Sequence, residues 1–215
     1  MFRKFDKIYR IEMPDYNIKG KYFLAKKNEE LLFKDIVYIF EKIDGANSGI
    51  YKQNGIITLQ KKGSECDLSH LQYSFFTNEW FFNNQEKLEK LPDNIVVYGE
   101  LMRCVHTIKY DKLPDWFIVF DIYDLKQDKY LIWEEVERIC KECGLHTVPL
   151  LFKGKIKKEK IKIPNRSMFG DTCEGVVVKS KDFQTRGKYV KPEFVKAVED
   201  SEFWRDRKIV LNKVI

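Results

Sequence analysis

Residues 36–47 constrain the fold more than any other part of the chain. Five apolar residues, 36–40, are followed at once by the charged motif EKIDGAN at 41–47. A short continuous apolar run predicts a buried strand, and the glycine predicts that a turn follows it. The sequence therefore places a lysine and two carboxylates where a buried strand ends.

A lysine in this position suits nucleophilic chemistry. Its neutral amine can attack an electrophile such as a nucleotide α-phosphate. With a free pKa of about 10.4, roughly one lysine in two thousand is neutral at pH 7, so such a site has to lower the pKa of Lys42 by desolvation and neighbouring cations. The motif alone is equally compatible with a solvated lysine at the end of a strand.

Further motifs follow in order along the chain. They are the basic pair KKG at 61–63, GEL at 99–101, WFIVFDI at 116–122, CEGVVVK at 173–179 and RGKYVKP at 186–192. Together with EKIDGAN, these motifs resemble those of the ATP-dependent polynucleotide ligases, and most closely RNA ligases of the RNA ligase 2 and RNA-editing type. The resemblance runs from about Lys34 to Pro192.

The resemblance implies an α+β nucleotidyltransferase domain, built from antiparallel sheets flanked by helices with an ATP site between them. It also implies three steps. The lysine attacks ATP with Mg²⁺ or Mn²⁺ present and forms lysyl-AMP, AMP passes to a nucleic acid 5′-phosphate, and a 3′-hydroxyl displaces AMP to seal the strand. The expected substrate is a nucleic acid with such ends, RNA favoured, and a partner protein could supply end recognition.

The resemblance also assigns the site residues. Lys42 is the expected nucleophile, and Glu174 and Glu100 are the expected metal ligands, with Glu174 the principal one. Phe120 is the expected ring that stacks on the purine, with Phe117 second. The expected ATP-binding residues are Glu41, Lys42, Asp44, Asn47, Lys62, Glu100, Phe120, Glu174, Lys188 and Lys191.

Two positions depart from the pattern of these ligases. The basic residue after the predicted hairpin is usually arginine there, whereas this chain has Lys61 and Lys62, neither of which offers a bidentate fork. The two lysines of the last motif are usually two residues apart, whereas Lys188 and Lys191 are three apart. We therefore expect Lys191 to be the firmer assignment and leave Lys61 and Lys62 open.

The rest of the chain predicts a mixture of strands and helices. Asn54-Gly55 is typical of a two-residue hairpin between strands at 48–53 and 56–60. The other predicted elements are a core-packing helix over 74–91, strands over 95–98 and 116–122, a helix over 134–143 closed by Gly144, a strand over 145–152 and a helix from Phe194 to about Arg205. The run 153–162, with six lysines among ten residues, is either a solvated hairpin or part of a nucleic-acid track.

Composition limits the remaining possibilities. The 215 residues, 44% of them hydrophobic, predict a single domain over 1–215, and the 193–215 tail is too short for an appended OB domain. The 39 basic against 33 acidic residues give a net charge of +6, which suits an anionic partner. No uncharged run approaches 18 residues, so we expect no membrane span.

Five cysteines without a paired CxxC spacing argue against a zinc knuckle and for reduced thiols, hence an intracellular protein.

Two other functions remain open at this stage. One is a minimal DNA nick ligase, which shares the chemistry but usually relies on additional domains to encircle a duplex. The other is a nucleic-acid-binding module of the same fold that has lost catalysis. The residues of the EKIDGAN motif favour an RNA ligase over a DNA ligase. The presence of candidate residues in every motif favours an active enzyme over an inactive binding module.

Overall fold

A computed structural model of the chain describes residues 2–12, 23–199 and 209–215. The twelve strands within these ranges are β1 (Tyr9–Arg10), β2 (Val37–Lys42), β3 (Ala46–Gln53), β4 (Ile56–Lys61), β5 (Ser64–Glu65), β6 (Ile95–Leu101), β7 (Phe117–Asp124), β8 (Lys129–Tyr130), β9 (His146–Thr147), β10 (Leu150–Gly154), β11 (Gly175–Ser180) and β12 (Arg186–Val190).

The helices within the same ranges are α1 (Lys26–Leu32), α2 (Leu71–Phe75), α3 (Phe81–Glu89), α4 (Trp133–Cys143) and α5 (Pro192–Glu199), with a π-helical turn at Phe76–Trp80 and a 3-10 turn at Lys158–Lys160. The predicted α+β class with mainly antiparallel sheets is confirmed.

The strands form two sheets. The first sheet has the order β1-β12-β11-β2-β10, and the second has the order β5-β4-β3-β6-β7-β8, with β9 pairing in parallel with β7. β2 is flanked on both sides in the first sheet, which explains why its apolar residues are buried. The turn 43–45 carries the chain from β2 in one sheet to β3 in the other, so Lys42 lies at the junction between them.

Local signals in the sequence correctly predict several turns. Asn54 and Gly55 adopt positive φ angles of 53° and 75° between β3 and β4, as a type I′ hairpin turn requires. Gly144 ends α4 in the left-handed region, and Leu145 N donates to Cys140 O at 2.8 Å. The predicted hairpin and the predicted end of that helix are both confirmed.

The single strand expected over 145–152 is wrong. Two short strands lie there in different sheets, since β9 pairs with β7 and β10 pairs with β2. Pro149 separates them, and its carbonyl accepts from Glu41 N at 3.0 Å. A proline has no N–H for a sheet ladder, so the chain changes sheet at this point.

Two predicted helices have shifted bounds. The helix expected over 74–91 begins at Leu71, contains the π-helical turn and ends at Glu89. The helix expected from Phe194 to about Arg205 is observed as α5 up to Glu199, and its remainder lies outside the described residues.

The aromatic segment between 74 and 91 has a packing role, as predicted. Phe76 and Trp80 are buried against Phe117 of β7, with ring centroids 5.3 Å from it in both cases. Phe76 stacks on Phe117, and Trp80 packs at a tilt. A second, smaller apolar cluster forms on the first sheet against Leu32 of α1. Both sheets are therefore covered by helices on their outer faces.

A buried ionic group ties the two sheets together. Lys179 of β11 donates to Asp121 of β7 at 3.0 Å, and Arg186 of β12 donates to the other oxygen of the same carboxylate at 3.2 Å. Asp121 is fully buried and Lys179 almost so. Removing one member of such a group leaves a buried charge without its partner, which costs about 3–5 kcal/mol.

None of the helices in the described ranges is long and apolar enough to cross a membrane. The five cysteines, four of them buried, are all free thiols.

Candidate active site

A cavity of about 550 Å³ lies between the two sheets at the end of β2. The predicted site residues that line it are Glu41, Lys42, Asn47, Lys62, Glu100, Phe120 and Lys188. They come from strands of both sheets and from the turn after β4, so folding brings together motifs that are far apart in the sequence.

Lys42 lies among carboxylates. Its Nζ donates to Glu174 Oε2 at 2.5 Å, and Glu174 is itself buried. Burial alone would lower the pKa of Lys42, but the charges of Glu174, Glu100 and Asp44 together raise it. The expectation that neighbouring cations depress the pKa of Lys42 is therefore wrong, because the charges that act on its amine are negative.

Glu100 holds the turn after Lys42. Burial raises the pKa of Glu100 to about 7, although the Lys42 ammonium acts in the opposite direction. Its Oε1 accepts from Gly45 N at 3.1 Å. A Cβ at Gly45 would lie 2.7 Å from Leu101 O, so only glycine allows the turn to approach β6 this closely.

Asp44 faces a loop instead of the cavity. Its Oδ2 accepts from Thr107 N at 2.7 Å and from Ile108 N at 3.1 Å, and its own N–H donates to Tyr110 Oη at 3.0 Å. The structure thus places this predicted ATP-binding residue where it fixes the position of the turn that follows Lys42.

A β-bulge directs Phe120 into the cavity. Tyr98 pairs with Asp121 and Gly99 pairs with Val119, which leaves Phe120 without a partner on β6. Bulges next to active sites commonly redirect a side chain in this way. Phe117, the second predicted ring, is fully buried in the aromatic core.

Four other lysines of the predicted motifs differ in whether they line the cavity. Lys188 lines the cavity, and burial together with the nearby Lys42 charge lowers its pKa to about 8. Lys191 lies outside it, with Nζ 3.5 Å from Asn165 O. Lys62 lines the cavity, whereas Lys61 Nζ lies 5.2 Å from the centre of the Tyr73 ring. Of the predicted ATP-binding lysines, Lys62 and Lys188 therefore line the cavity together with Lys42, whereas Lys191 lies outside it.

Glu41 and Asn47 complete the predicted set. Glu41 Oε2 accepts from Met168 N at 2.9 Å, while its Oε1 is buried without a hydrogen-bond partner among the described residues. Burial raises the pKa of Glu41. Asn47 pairs with Glu100 across the β3–β6 ladder and lines the cavity beside it.

Sequence reasoning missed the wall formed by residues 4–8. Phe5 packs edge-on against Phe120, with ring centroids 5.0 Å apart. Arg3 anchors this segment by lying 3.4 Å from the centre of the Tyr123 ring and pairing with Asp6 at 3.0 Å. The alternation of aromatic and basic residues in MFRKFDKIYR was the available signal, and its meaning depends on contacts with β7.

The carboxylates around Lys42 fit a divalent cation. Glu174 is buried, Glu100 is half-buried, and both already share Lys42 as a cationic neighbour. Carboxylate oxygens are the ligands that Mg²⁺ prefers. In the part of the chain that the structure describes, no three potential ligands form a preformed metal cluster. Mg²⁺ usually binds through one or two carboxylates together with phosphate oxygens and water, so two carboxylates are sufficient.

Comparison with known proteins agrees with this geometry. The RNA ligase family model matches residues 35–191, nearly the same range as the motifs found in the sequence. The chain belongs to the RNA ligase family. No curated protein matches its sequence.

Solved structures show the same fold as this RNA ligase family member. Naegleria gruberi RNA ligase with PPi matches at TM-score 0.65 and 22% identity, covering 81% of this chain and 54% of that one. A lysine-to-alanine mutant of that ligase with ATP and Mn matches at TM-score 0.65 and 21% identity, covering 80% of this chain and 54% of that one. An apo aspartate-to-alanine mutant of the same ligase matches at TM-score 0.64 and 20% identity, covering 81% of this chain and 54% of that one. This chain spans about half the length of the ligases it matches.

Proposed function

We propose that the protein is an ATP-dependent RNA ligase that works through a lysyl-AMP intermediate. The observation that carries this proposal is the placement of Lys42 at the end of β2, in a cavity lined also by the ring of Phe120, by Lys62 and Lys188 among other lysines, and by carboxylates. ATP and Mn in a structure of the related Naegleria gruberi enzyme support the choice of nucleotide and of a divalent cation.

Each group has a role that follows from its position. The ring of Phe120 covers the purine by stacking. Lys188 and Lys62 bind phosphate oxygens and neutralise charge that develops during the transfer. Lys42 must lose a proton before its amine attacks. In the proposed step Glu174 Oε2, its hydrogen-bond partner at 2.5 Å, accepts this proton, and the second oxygen of the same carboxylate remains available to a cation.

The first step forms a bond between Lys42 Nζ and the α-phosphorus of ATP and breaks the bond from that phosphorus to the bridging oxygen of pyrophosphate. Glu174 and Glu100 would hold Mg²⁺ or Mn²⁺, which supplies charge neutralisation at the phosphates when bound. The protein otherwise contributes position and electrostatics, as is usual in phosphoryl transfer.

In the later steps AMP passes to the 5′-phosphate of an RNA end, and a 3′-hydroxyl displaces AMP. Family membership supports RNA as the substrate. We further propose that residues 1–215 form one nucleotidyltransferase domain, that the protein acts inside the cell, and that a partner protein could supply recognition of the ends.

Incubation with α-labelled ATP and Mg²⁺ tests the first step. We expect covalent label on the wild-type protein at Lys42 and none on Lys42→Ala, with Lys61→Ala as a matched control because Lys61 lies on the Tyr73 ring outside the cavity. Label on another lysine would overturn the assignment. Failure of the wild type with every nucleotide would favour the inactive binding module.

A further inference from the structure

Residues 209–215 are bound to the loop at 102–113. Val105 N donates to Val210 O at 2.8 Å, and on the other side of the loop Lys213 N donates to Tyr110 O at 2.9 Å. The 209–215 segment therefore bridges both limbs of the 102–113 loop. Nothing in the ligase motifs, which end at 192, accounts for this contact.

Asn212 is the centre of this bridge. Its side-chain Oδ1 accepts from Tyr110 N at 2.8 Å, and its Nδ2 donates to Met102 O at 2.7 Å and to Cys104 O at 3.3 Å. Asn212 is 3% exposed, and Tyr110 and Met102 are fully buried. Removing the amide would leave three buried backbone groups without these bonds, and unsatisfied buried groups are costly.

The same loop holds the turn that follows Lys42. Thr107 and Ile108 donate their N–H groups to Asp44, and Tyr110 Oη accepts from Asp44 N. Asp44 lies two residues after Lys42. The contacts thus run from Asn212 through the loop to Asp44 and so to the amine of Lys42.

A second contact leads to the same turn. A Cβ built on Gly45 would lie 2.8 Å from the sulfur of Met102, so Met102 closes directly over this glycine. Asn212 holds the carbonyl of that same Met102. Both limbs of the loop therefore reach the turn, and Asn212 binds both limbs.

We propose that Asn212 is a positioning residue for Lys42, which acts by keeping the 102–113 loop closed on the 43–45 turn. The inference rests on the proposed lysyl-AMP chemistry. Loosening this loop shifts the amine relative to the α-phosphorus, whereas the residues that bind the nucleotide, Phe120, Glu100 and Lys188, stay on strands of the two sheets. Misplacement of a reacting group by about 1 Å can cost about 100-fold in rate.

The test compares Asn212→Ala with Asn84→Ala by single-turnover formation of lysyl-AMP over a range of ATP concentrations. Asn84 is a matched control, since it is also buried and its Nδ2 donates to Trp80 O at 2.8 Å within its own helical segment. We expect the maximal rate of Asn212→Ala to fall about tenfold or more, with the half-saturating ATP concentration changed less than about twofold. Asn84→Ala should keep the wild-type rate at temperatures well below its unfolding transition.

Amide hydrogen exchange provides a readout that does not depend on activity. In Asn212→Ala the amides of Thr107 and Ile108 should exchange faster, while that of Val97 in the middle of β6 keeps its wild-type protection. Asn212→Ser, which retains a small polar side chain, serves if the alanine variant does not fold.

Wild-type maximal rate in a folded Asn212 variant, or unchanged exchange at Thr107 and Ile108, would overturn the proposal. An equal loss of rate in Asn84→Ala would also overturn it, because any buried amide would then have the same effect. Absence of lysyl-AMP in the wild type would instead reject the proposed function and leave the exchange experiment as the measure of the loop contact.

Discussion

At the scale of single residues, Phe5 shows how a side chain outside every motif can shape the site. Its ring meets Phe120 edge-on at 5.0 Å on the wall of the cavity. A ring held in this way keeps Phe120 in the orientation that a purine would stack on. The contact lies in a segment to which the sequence pattern assigned no chemistry.

We expect Phe5→Ala to weaken nucleotide binding more than it slows the transfer. The half-saturating ATP concentration for lysyl-AMP formation should rise about fivefold or more, consistent with a loss of about 1 kcal/mol of aromatic contact. Phe2→Ala is the matched control, since Phe2 packs on Tyr51 with ring centroids 6.3 Å apart, away from the cavity. Equal ATP dependence in the two variants would contradict this role.

The charge of Lys188 is proposed to bind phosphate, but its burial lowers the stability of the folded protein. Burial and the Lys42 charge lower its pKa to about 8, below the ordinary value of a lysine. The folded protein therefore releases this proton at a lower pH than the unfolded chain does. Its contribution to stability is unfavourable below about pH 8 and is relieved as the pH rises toward the pKa of the unfolded lysine.

Lys188→Met should accordingly be more stable than the wild type at pH 7 and less active in forming lysyl-AMP. The stability difference should shrink between about pH 8 and about pH 10.4, the reference pKa of lysine, because only the wild type gains stability from losing this proton. Urea unfolding of both proteins at several pH values measures the difference, and titrating groups remote from Lys188 cancel in the comparison. A difference that is constant or grows with pH would contradict the assignment.

At the scale of strands and helices, the buried group of Lys179, Asp121 and Arg186 fixes how the sheets face each other. It connects β11 and β12 to β7 directly below the bulge at Phe120, and Lys179 also donates to Phe120 O at 2.5 Å. The depth and shape of the cavity depend on this junction. The sequence pattern left the destination of Lys179 undefined.

Lys179→Met should therefore destabilise the protein by about 3 kcal/mol or more, because it leaves Asp121 with one cationic partner in a fully buried position. Chemical denaturation monitors the change. Lys181→Met is the matched control, since Lys181 is exposed and its pair with Asp35 is 3.7 Å long, and it should change stability by less than about 0.5 kcal/mol. Similar losses of stability in both variants would contradict the larger contribution assigned to the buried group.

Single strands also show where local patterns are insufficient. The hairpin at Asn54-Gly55 and the end of α4 at Gly144 follow from turn chemistry between near neighbours, and both were predictable. The division of 145–152 between two sheets was not, because β9 and β10 find their partners in strands distant in the sequence.

At the scale of the whole molecule, the proposed ligation can be compared on RNA and on DNA. Family membership favours RNA, and ribose 2′-hydroxyls are the groups that distinguish RNA from DNA at a given site. The net charge of +6 does not discriminate between RNA and DNA, since both carry the same phosphate groups.

Pre-adenylylated protein should seal a nicked duplex with RNA on the 3′-hydroxyl side faster than its all-DNA counterpart at one fixed salt concentration. Starting from lysyl-AMP removes ATP binding from the comparison, and fixing the salt removes the shared phosphate contribution. The ratio of the two sealing rates is the measurement. Equal rates would favour the DNA nick ligase and leave the role of Lys42 unchanged.

The sequence was sufficient for the class of fold, the RNA ligase family and most of the residues that line the cavity, because those inferences depend on apolar runs, turn residues and motifs of a few neighbouring positions. Long-range contacts were needed for the rest. Lys42 meets Glu174 across 132 positions, and Asn212 meets Met102 across 110. The bulge at Phe120, the choice of Lys188 over Lys191 and the raised pKa of Lys42 all arise where two sheets meet, and burial and charge at such a junction are set by residues that no local pattern connects.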